Sequence, residues 1–269
     1  KAHKEIAEVV DQVAKETGKE YLFISRSDST LRGHYPLETT ILKDEYEKNT
    51  GKKIDGEVLC PFFKEGGRFT IDDVHYVQYD DTLVPAAETE FAKDKTFGYT
   101  VSNLKEYVEE KTQGAYKKEN VTAISLEDIR ELNYDKIEEQ LLAVEDFNKV
   151  IVNAIDYVDV KIFCVALFRA MKKGKNFMFR TAAAIVKVMG GVSDQPLLTR
   201  EQMVVKETDN GGIIVVGSHT DKTTRQMEKL RENKDIAFVE LNATLVNDEA
   251  AFAEEVERCL ALEEEYISS

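Results

Sequence analysis

Short apolar runs alternate with segments of helical period along most of the chain, and this alternation constrains the fold more than any other feature. The apolar runs at 21–24, 56–60, 121–124, 150–152 and 177–179 predict strands. Strands that alternate with helices favour a mostly parallel sheet that is covered on both faces. The sequence therefore predicts an α/β fold, with part of a second α/β domain after it.

A loop-like stretch at 193–208 separates two regions of regular pattern and is interpreted as a linker. We therefore expect a first domain over 1–200 and a second domain over 209–269. The second region contains apolar runs at 211–216 and 236–241 with a helical pattern between them. This order predicts a βαβ unit.

Composition limits the kinds of partner. A formal net charge of −15 argues against nonspecific nucleic-acid binding, which requires a basic face. The sequence contains no apolar run near the ~20 residues that a membrane span requires. Its three cysteines lie far apart, in no pattern typical of a metal site or a disulfide framework. We expect a cytoplasmic protein that binds small molecules, with a homo-oligomer left open.

The loop after the first predicted strand carries more polar chemistry than a connection to a helix requires. Within Ser25–His34 it holds Asp28, Ser29 and Arg32. Arginine matches a carboxylate or phosphate through paired hydrogen bonds, and the following helix offers its N-terminal N–H groups to negative charge. The loop is therefore a candidate site for a polar anion. The alternative interpretation is a helix cap with a surface arginine.

Further polar residues follow other predicted strands. Arg68 and Arg180 are candidate anion contacts, and His75 in a predicted hairpin is a candidate donor to a substrate. Ligands of parallel α/β sheets bind at the carboxyl ends of strands, where these residues are predicted to lie. Surface pairing with the many carboxylates is the alternative for both arginines, and packing against Tyr76 is the alternative for His75.

Gly217 and Ser218 follow an apolar run and precede a helical pattern. A glycine and a hydroxyl at the start of a helix can contact phosphate oxygens. The stretch is neither a G-x-x-x-x-G-K-[ST] loop nor a G-x-G-x-x-G fingerprint, and an ordinary turn is the alternative.

Taken in order, several of these segments resemble the four-carbon acid sugar kinase family, whose members are ATP-dependent kinases of tetronate-type acids. The residues that carry the resemblance extend across nearly the whole chain. They are Asp28–Gly33, Pro61–Phe62, Gly67–Arg68, Val74–Tyr76, Glu88–Phe91 with Asp94, Val152–Ala154, Phe179–Ala183, and Val216–Ser218 with Thr223 and Gln226.

The resemblance implies an N-terminal domain that binds the acid sugar and a C-terminal domain that binds ATP with Mg²⁺. It implies substrate contacts from Asp28, Ser29, Arg32, Arg68, His75 and Arg180, and nucleotide contacts from Gly217 and Ser218. Two family motifs, Asp-Asp-Leu-Thr-Gly near the start and Gly-Gly-Glu-Thr near the end, do not occur in this sequence. We therefore expect that both termini are missing and that the catalytic base lies before Lys1; the magnesium ligands stay unassigned.

Two other function classes remain at this point. A noncatalytic sensor or binder of an anionic metabolite would use the same substrate residues without the chemistry. A nucleotide-dependent oxidoreductase is suggested only by the alternation of strands and helices, and the sequence lacks its glycine fingerprint.

Overall fold

A computed structural model of the chain describes residues 1–204, 211–218 and 220–268. The chain divides into two compact units, Lys1–Asp194 and Gln195–Ser269, and each is described by itself. Among the described residues, no helix combines the length and the apolar character needed to cross a membrane.

The first unit contains a parallel sheet and a small antiparallel sheet. Its strands are β1 (Ile24–Arg26), β2 (Gly56–Cys60), β3 (Arg68–Ile71), β4 (Val74–Tyr79), β5 (Thr82–Pro85), β6 (Thr122–Ile124), β7 (Asn148–Val152) and β8 (Phe177–Thr181). The parallel sheet has the strand order β1-β8-β2-β7-β6, and the antiparallel sheet has the order β3-β4-β5. β1 and β2 both pair with β8, so the first polar loop and Arg180 lie at neighbouring positions of the sheet.

Seven α-helices occur in the first unit. They are α1 (Ala2–Thr17), α2 (Leu37–Thr50), α3 (Leu104–Lys111), α4 (Leu126–Arg130), α5 (Tyr134–Leu142), α6 (Tyr157–Lys172) and α7 (Ala183–Met189). Successive residues of a strand point to opposite faces of a sheet. Val58 of β2 therefore packs in one core with Phe163 of α6, while Leu59 packs in another core with Tyr107 of α3. The predicted α/β fold with helices on both faces is confirmed.

A charged pair lies inside the sheet. Glu57 of β2 and Lys149 of β7 are neighbours in the strand register, both are fully buried, and their charged atoms lie 2.8 Å apart. The Lys149 ammonium also lies 3.5 Å from the centre of the Phe147 ring. Burial lowers the pKa of Lys149, and the Glu57 carboxylate opposes that effect.

Local details of the first unit differ from the sequence prediction. β1 begins at Ile24 and extends to Arg26, whereas the strand was expected at 21–24. β8 continues through Arg180 and Thr181, which were expected to follow the strand. The predicted hairpin is present, but a third strand, β5, joins it, so β4 and its His75 are central. Apolar content marks strand centres, whereas hydrogen bonds to neighbouring strands set the ends.

The second unit contains α8 (Arg200–Met203), α9 (Asp221–Leu230) and α10 (Glu249–Ser268). The two predicted strands of this unit are wrong, because its described residues form no regular strand, including 211–216 and 236–241. The two segments line one cavity of this unit without strand pairing among its described residues, and the Val215 side chain is 89% exposed. Part of the predicted linker, 205–208, lies outside the described residues, as do 209–210 at the start of the predicted second domain.

Candidate functional site

The loop that connects β1 to α2 forms one wall of a cleft of about 440 Å³ in the first unit. The cleft lies at the carboxyl end of β1, where open α/β sheets bind their ligands. Its lining combines hydroxyl, carboxylate, guanidinium and aromatic groups. These come from His3, Ser25, Arg26, Ser27, Asp28, Arg32, Gly33, Glu38, Asp94 and Phe97.

Asp28, Thr30 and Arg32 form a hydrogen-bonded cluster in this wall. The Nε of Arg32 donates to Asp28 Oδ2 at 2.9 Å and to the Thr30 hydroxyl at 3.2 Å, and the Thr30 hydroxyl donates to Asp28. Burial raises the pKa of Asp28, but the hydrogen bonds from Arg32 and Thr30 outweigh it and the pKa is lowered. The Asp28 carboxylate therefore stays ionised and orients Arg32.

Four consecutive carbonyl groups of the loop, from Ser29 to Arg32, each accept a hydrogen bond from a different side chain. His75 donates to Ser29 at 2.8 Å, Tyr99 to Thr30 at 2.8 Å, Tyr107 to Leu31 at 2.7 Å, and Arg180 to Arg32 at 3.1 Å. All four donors are buried.

These bonds fix the loop from beneath. The donors come from β4, from the segment before α3, from α3 and from β8. Leu31 has a φ of 68°, a left-handed conformation that a leucine adopts only when its surroundings hold it there. The loop is therefore preorganised, and Asp28 and Arg32 are presented by a rigid backbone.

His75 supports the loop as a neutral side chain. A carbonyl oxygen can only accept, so Nε2 carries the proton in the bond to Ser29, and Nδ1 accepts from the Thr70 hydroxyl at 3.0 Å. Burial lowers the pKa of His75 to about 4, which agrees with the neutral form. Both ring nitrogens are therefore already engaged within the protein.

Arg180 is buried beneath the same loop. Its Nε donates to Glu38 Oε1 at 2.9 Å, and the same oxygen accepts from the Ser27 hydroxyl at 2.8 Å. The Arg180 guanidinium also lies 4.8 Å from the centre of the Tyr35 ring. The charge of Arg180 is thus balanced inside the protein, and its side chain does not line the cleft.

Arg68 lies beside the cluster, and its environment differs from that of Arg180. The guanidinium carbons of Arg32 and Arg68 lie 5.1 Å and 5.4 Å from the centre of one aromatic ring, that of Phe91. Arg68 donates to the Gly66 carbonyl, but its Nε is buried and has no hydrogen-bond partner among the described residues. Within that part of the chain, no carboxylate lies within 4.0 Å of Arg68.

The structure thus brings five predicted residues, Asp28, Arg32, Arg68, His75 and Arg180, around one loop. The polar groups of His75 and Arg180 are already hydrogen-bonded to other groups of the protein. The Ser29 side chain is half-buried and does not line the cleft. The predicted substrate contacts of all six residues, Ser29 included, stay predictions.

Sequence reasoning missed Glu38, Tyr99 and Tyr107 as parts of the site. In the sequence, each of these residues fits an apolar or helix-capping pattern as well as it fits a site. Their positions therefore gave no signal of a role in the site. Asp94, which lies 3.9 Å from Arg32, was noticed only through the family resemblance.

Gly217 and Ser218 lie in the second unit, before α9. The hydroxyl oxygens of Ser218, Thr220 and Thr223 lie 3.0 to 3.3 Å from one another at the start of this helix. A side chain placed at Gly217 would meet no described atom within 4 Å, so this glycine is not required by local packing. His219, in the same predicted turn, lies outside the described residues.

The fold and the cleft together define an α/β domain with a polar cleft at the carboxyl end of its parallel sheet. The crystal structure of a Haemophilus influenzae protein of the DUF1537 family has this fold, with a TM-score of 0.50 and 19% identity, over 85% of this chain and 51% of that one. A Bordetella bronchiseptica domain of unknown function (DUF1537), solved with bound citrate as a domain-swapped dimer, gives a TM-score of 0.46 and 19% identity, over 98% and 56% of the two chains.

Residues 1–189 match the family described as the sugar-binding N-terminal domain, and the chain belongs to that family. The predicted resemblance is therefore confirmed to the extent of a sugar-binding domain, which indicates a carbohydrate-related function. A direct comparison with curated protein sequences gave no match. The chain spans about half the length of the two solved structures.

Proposed function

We propose that the first unit binds a small sugar acid in the cleft beside the β1–α2 loop. We further propose that the whole protein transfers the γ-phosphoryl group of ATP to a hydroxyl of that acid. The observation that carries this proposal is the composition of the cleft, in which Arg32 is oriented by Asp28 on a preorganised loop.

The cleft matches a sugar acid in size and chemistry. Its volume of about 440 Å³ lies within the ~300–1,000 Å³ typical of small-molecule sites. A guanidinium binds a carboxylate through charge-assisted hydrogen bonds, and the amino groups of Arg32 remain for this while its Nε holds Asp28. The Ser27 hydroxyl, which also lines the cleft, can accept a hydrogen bond from a sugar hydroxyl.

The residues near Gly217 are chemically compatible with nucleotide phosphates. The hydroxyls of Ser218, Thr220 and Thr223 can donate to phosphate oxygens, and the N-terminus of α9 favours negative charge. ATP supplies the phosphoryl group when it is bound. Among the described residues no cluster of three or more His, Cys, Asp or Glu side chains is arranged to hold a metal. Magnesium held by phosphates and water, with one or two carboxylates, would be consistent with that arrangement.

Asp28 is suited to binding and not to proton abstraction. Its carboxylate is paired with Arg32 and its pKa is lowered, so its affinity for a proton is small. We therefore propose Asp28 as a binding residue and do not assign the catalytic base to it.

The same observation supports a second candidate, a noncatalytic binder of an anionic metabolite. Such a protein would respond to the acid but not to ATP. Thermal shift measurements with each ligand alone separate the two functions, since a kinase should be stabilised by both.

The proposal is tested on the full-length protein with ATP, Mg²⁺, a panel of four-carbon sugar acids, and citrate as a further carboxylate probe. We expect ADP production with at least one sugar acid and loss of that activity in Arg32→Ala. Arg169→Ala is the matched control, because Arg169 is half-exposed on α6 and pairs with Asp135. Absence of turnover and of acid binding throughout the panel would refute both candidate functions.

A further inference from the structure

Two arginines share one aromatic ring beside the cleft, and this arrangement requires an explanation. Arg32 and Arg68 both lie over Phe91, at 5.1 Å and 5.4 Å from its centre. Like charges repel, and a shared ring offsets only part of that repulsion. An anion that contacts both guanidiniums would offset more of it.

Arg68 differs from Arg32 and Arg180 in having no carboxylate partner within the described part of the chain. Arg180 is paired with Glu38 at 2.9 Å, and Arg32 is paired with Asp28 at 2.9 Å. Arg68 has no carboxylate within 4.0 Å in the described part of the chain, although it is half-buried. Burial lowers the pKa of Arg68; the Asp28 charge opposes this effect, and the Arg32 charge adds to it.

The N–H groups of the two arginines also differ in how many hydrogen bonds they form within the protein. Arg32 commits its Nε to Asp28 and Thr30, while its Nη1 lies 3.9 Å from Asp94 Oδ2, beyond hydrogen-bond distance. Arg68 donates one amino group to the Gly66 carbonyl, while its buried Nε has no partner among the described residues. A carboxylate with two oxygens can accept from both side chains at once.

We propose that Phe91 is a positioning residue that holds Arg32 and Arg68 together as a two-arginine site for the carboxylate of the substrate. The inference rests on the proposed binding of a sugar acid and specifies which side chains bind its carboxylate. Phe91 contacts the guanidiniums and not the substrate. Selectivity for an acid over a neutral sugar then depends on this ring.

The test measures binding of two matched probes, D-erythronate and its neutral amide, to the full-length protein by ligand-observed NMR or calorimetry. We expect the wild type to prefer the acid. In Phe91→Leu the Kd for erythronate should rise about tenfold, which corresponds to ~1.4 kcal/mol. The Kd for the amide should change less than twofold, and Phe91→Tyr should retain the preference because it keeps the ring.

Phe168→Leu is the control, because Phe168 is an exposed phenylalanine of α6 that does not line the cleft. It should preserve the ratio of the two Kd values. If Phe91→Leu does not fold, Arg68→Gln carries the test and should lose the same preference.

The outcomes separate the inference from the proposed function. A wild type that binds neither probe nor any other sugar acid overturns the proposed function and the inference with it. A wild type that binds the acid, with a preference that survives in Phe91→Leu or Arg68→Gln, overturns the inference alone. Equal loss of both probes in Phe91→Leu also overturns it, because that result indicates a general structural role.

Discussion

Removal of a single buried hydroxyl tests whether the candidate loop is held by its carbonyl groups. Tyr107→Phe deletes the donor to the Leu31 carbonyl, a bond of 2.7 Å between residues that are 0% and 1% exposed. The ring remains, so its stacking on Tyr35 at 5.6 Å and its contact with Tyr99 are preserved. The substitution therefore isolates one hydrogen bond.

The expected cost follows from burial. Water cannot reach the Leu31 carbonyl in place of the lost hydroxyl, so the variant carries an unsatisfied buried acceptor. Such a loss costs about 1–2 kcal/mol of unfolding free energy. Because Leu31 has a φ of 68°, part of this cost should appear as relaxation of the loop. Affinity for a sugar acid should fall as well, because Arg32 is the next residue.

Urea denaturation of the full-length protein measures the change, and hydrogen exchange at the loop amides locates it. Tyr116→Phe is the control: this tyrosine is partly buried beside the Lys149 ammonium, and its hydroxyl makes no hydrogen bond within the described residues. It should stay within about 0.5 kcal/mol of wild type. Equal stability and equal loop exchange in Tyr107→Phe and wild type would show that this hydroxyl does not hold the loop.

Three further predictions concern buried side chains that can carry a charge. Because the pKa of His75 is lowered to about 4, the unfolded state binds its proton first as pH falls below about 6.5. The free energy of unfolding should therefore decrease towards pH 4 by up to about 3 kcal/mol. In parallel urea titrations His75→Gln should not show this part of the decrease. Glu38→Gln leaves Arg180 buried without its counter-charge and should cost about 3 kcal/mol in the same assay; an unchanged midpoint would contradict the pairing. Lys149→Met should cost about 3–5 kcal/mol, and adding Glu57→Leu should recover most of it. A double variant as unstable as the single one would refute that coupling.

Much of the first unit could be predicted from the sequence because its signals are local. The strand at Gly56–Cys60 has the bounds that the apolar run predicts, and the helix at Ala2–Thr17 ends at Gly18, which adopts a φ of 65°. Strand β5 was not predicted, since Thr82–Pro85 is short, partly exposed and stabilised by pairing with β4. The opposite error occurred at 211–216, where a strong apolar run forms no regular strand.

In the site, too, residues with a local sequence signal were predicted and residues brought in by long-range contacts were not. Asp28 and Arg32 were found because they lie only four positions apart and their polarity is unusual after a strand. The donors to the loop carbonyls lie 46, 69, 76 and 148 residues away along the chain. No local pattern specifies such contacts, because the tertiary fold creates them.

Arg32, Arg68 and Arg180 show most clearly what the sequence cannot distinguish. The sequence predicts all three after a strand, and all three are plausible anion contacts by residue type. Their neighbours separate them, because Arg180 is neutralised by Glu38 inside the protein while Arg68 has no carboxylate within 4.0 Å in the described chain. A buried arginine that is already paired gains little from a second anion, whereas one that is desolvated and unpaired gains much. Anion affinity beside this cleft should therefore depend on Arg68, and on Arg32 because its side chain lines the cleft, whereas Arg180 should affect it only through the loop that it holds.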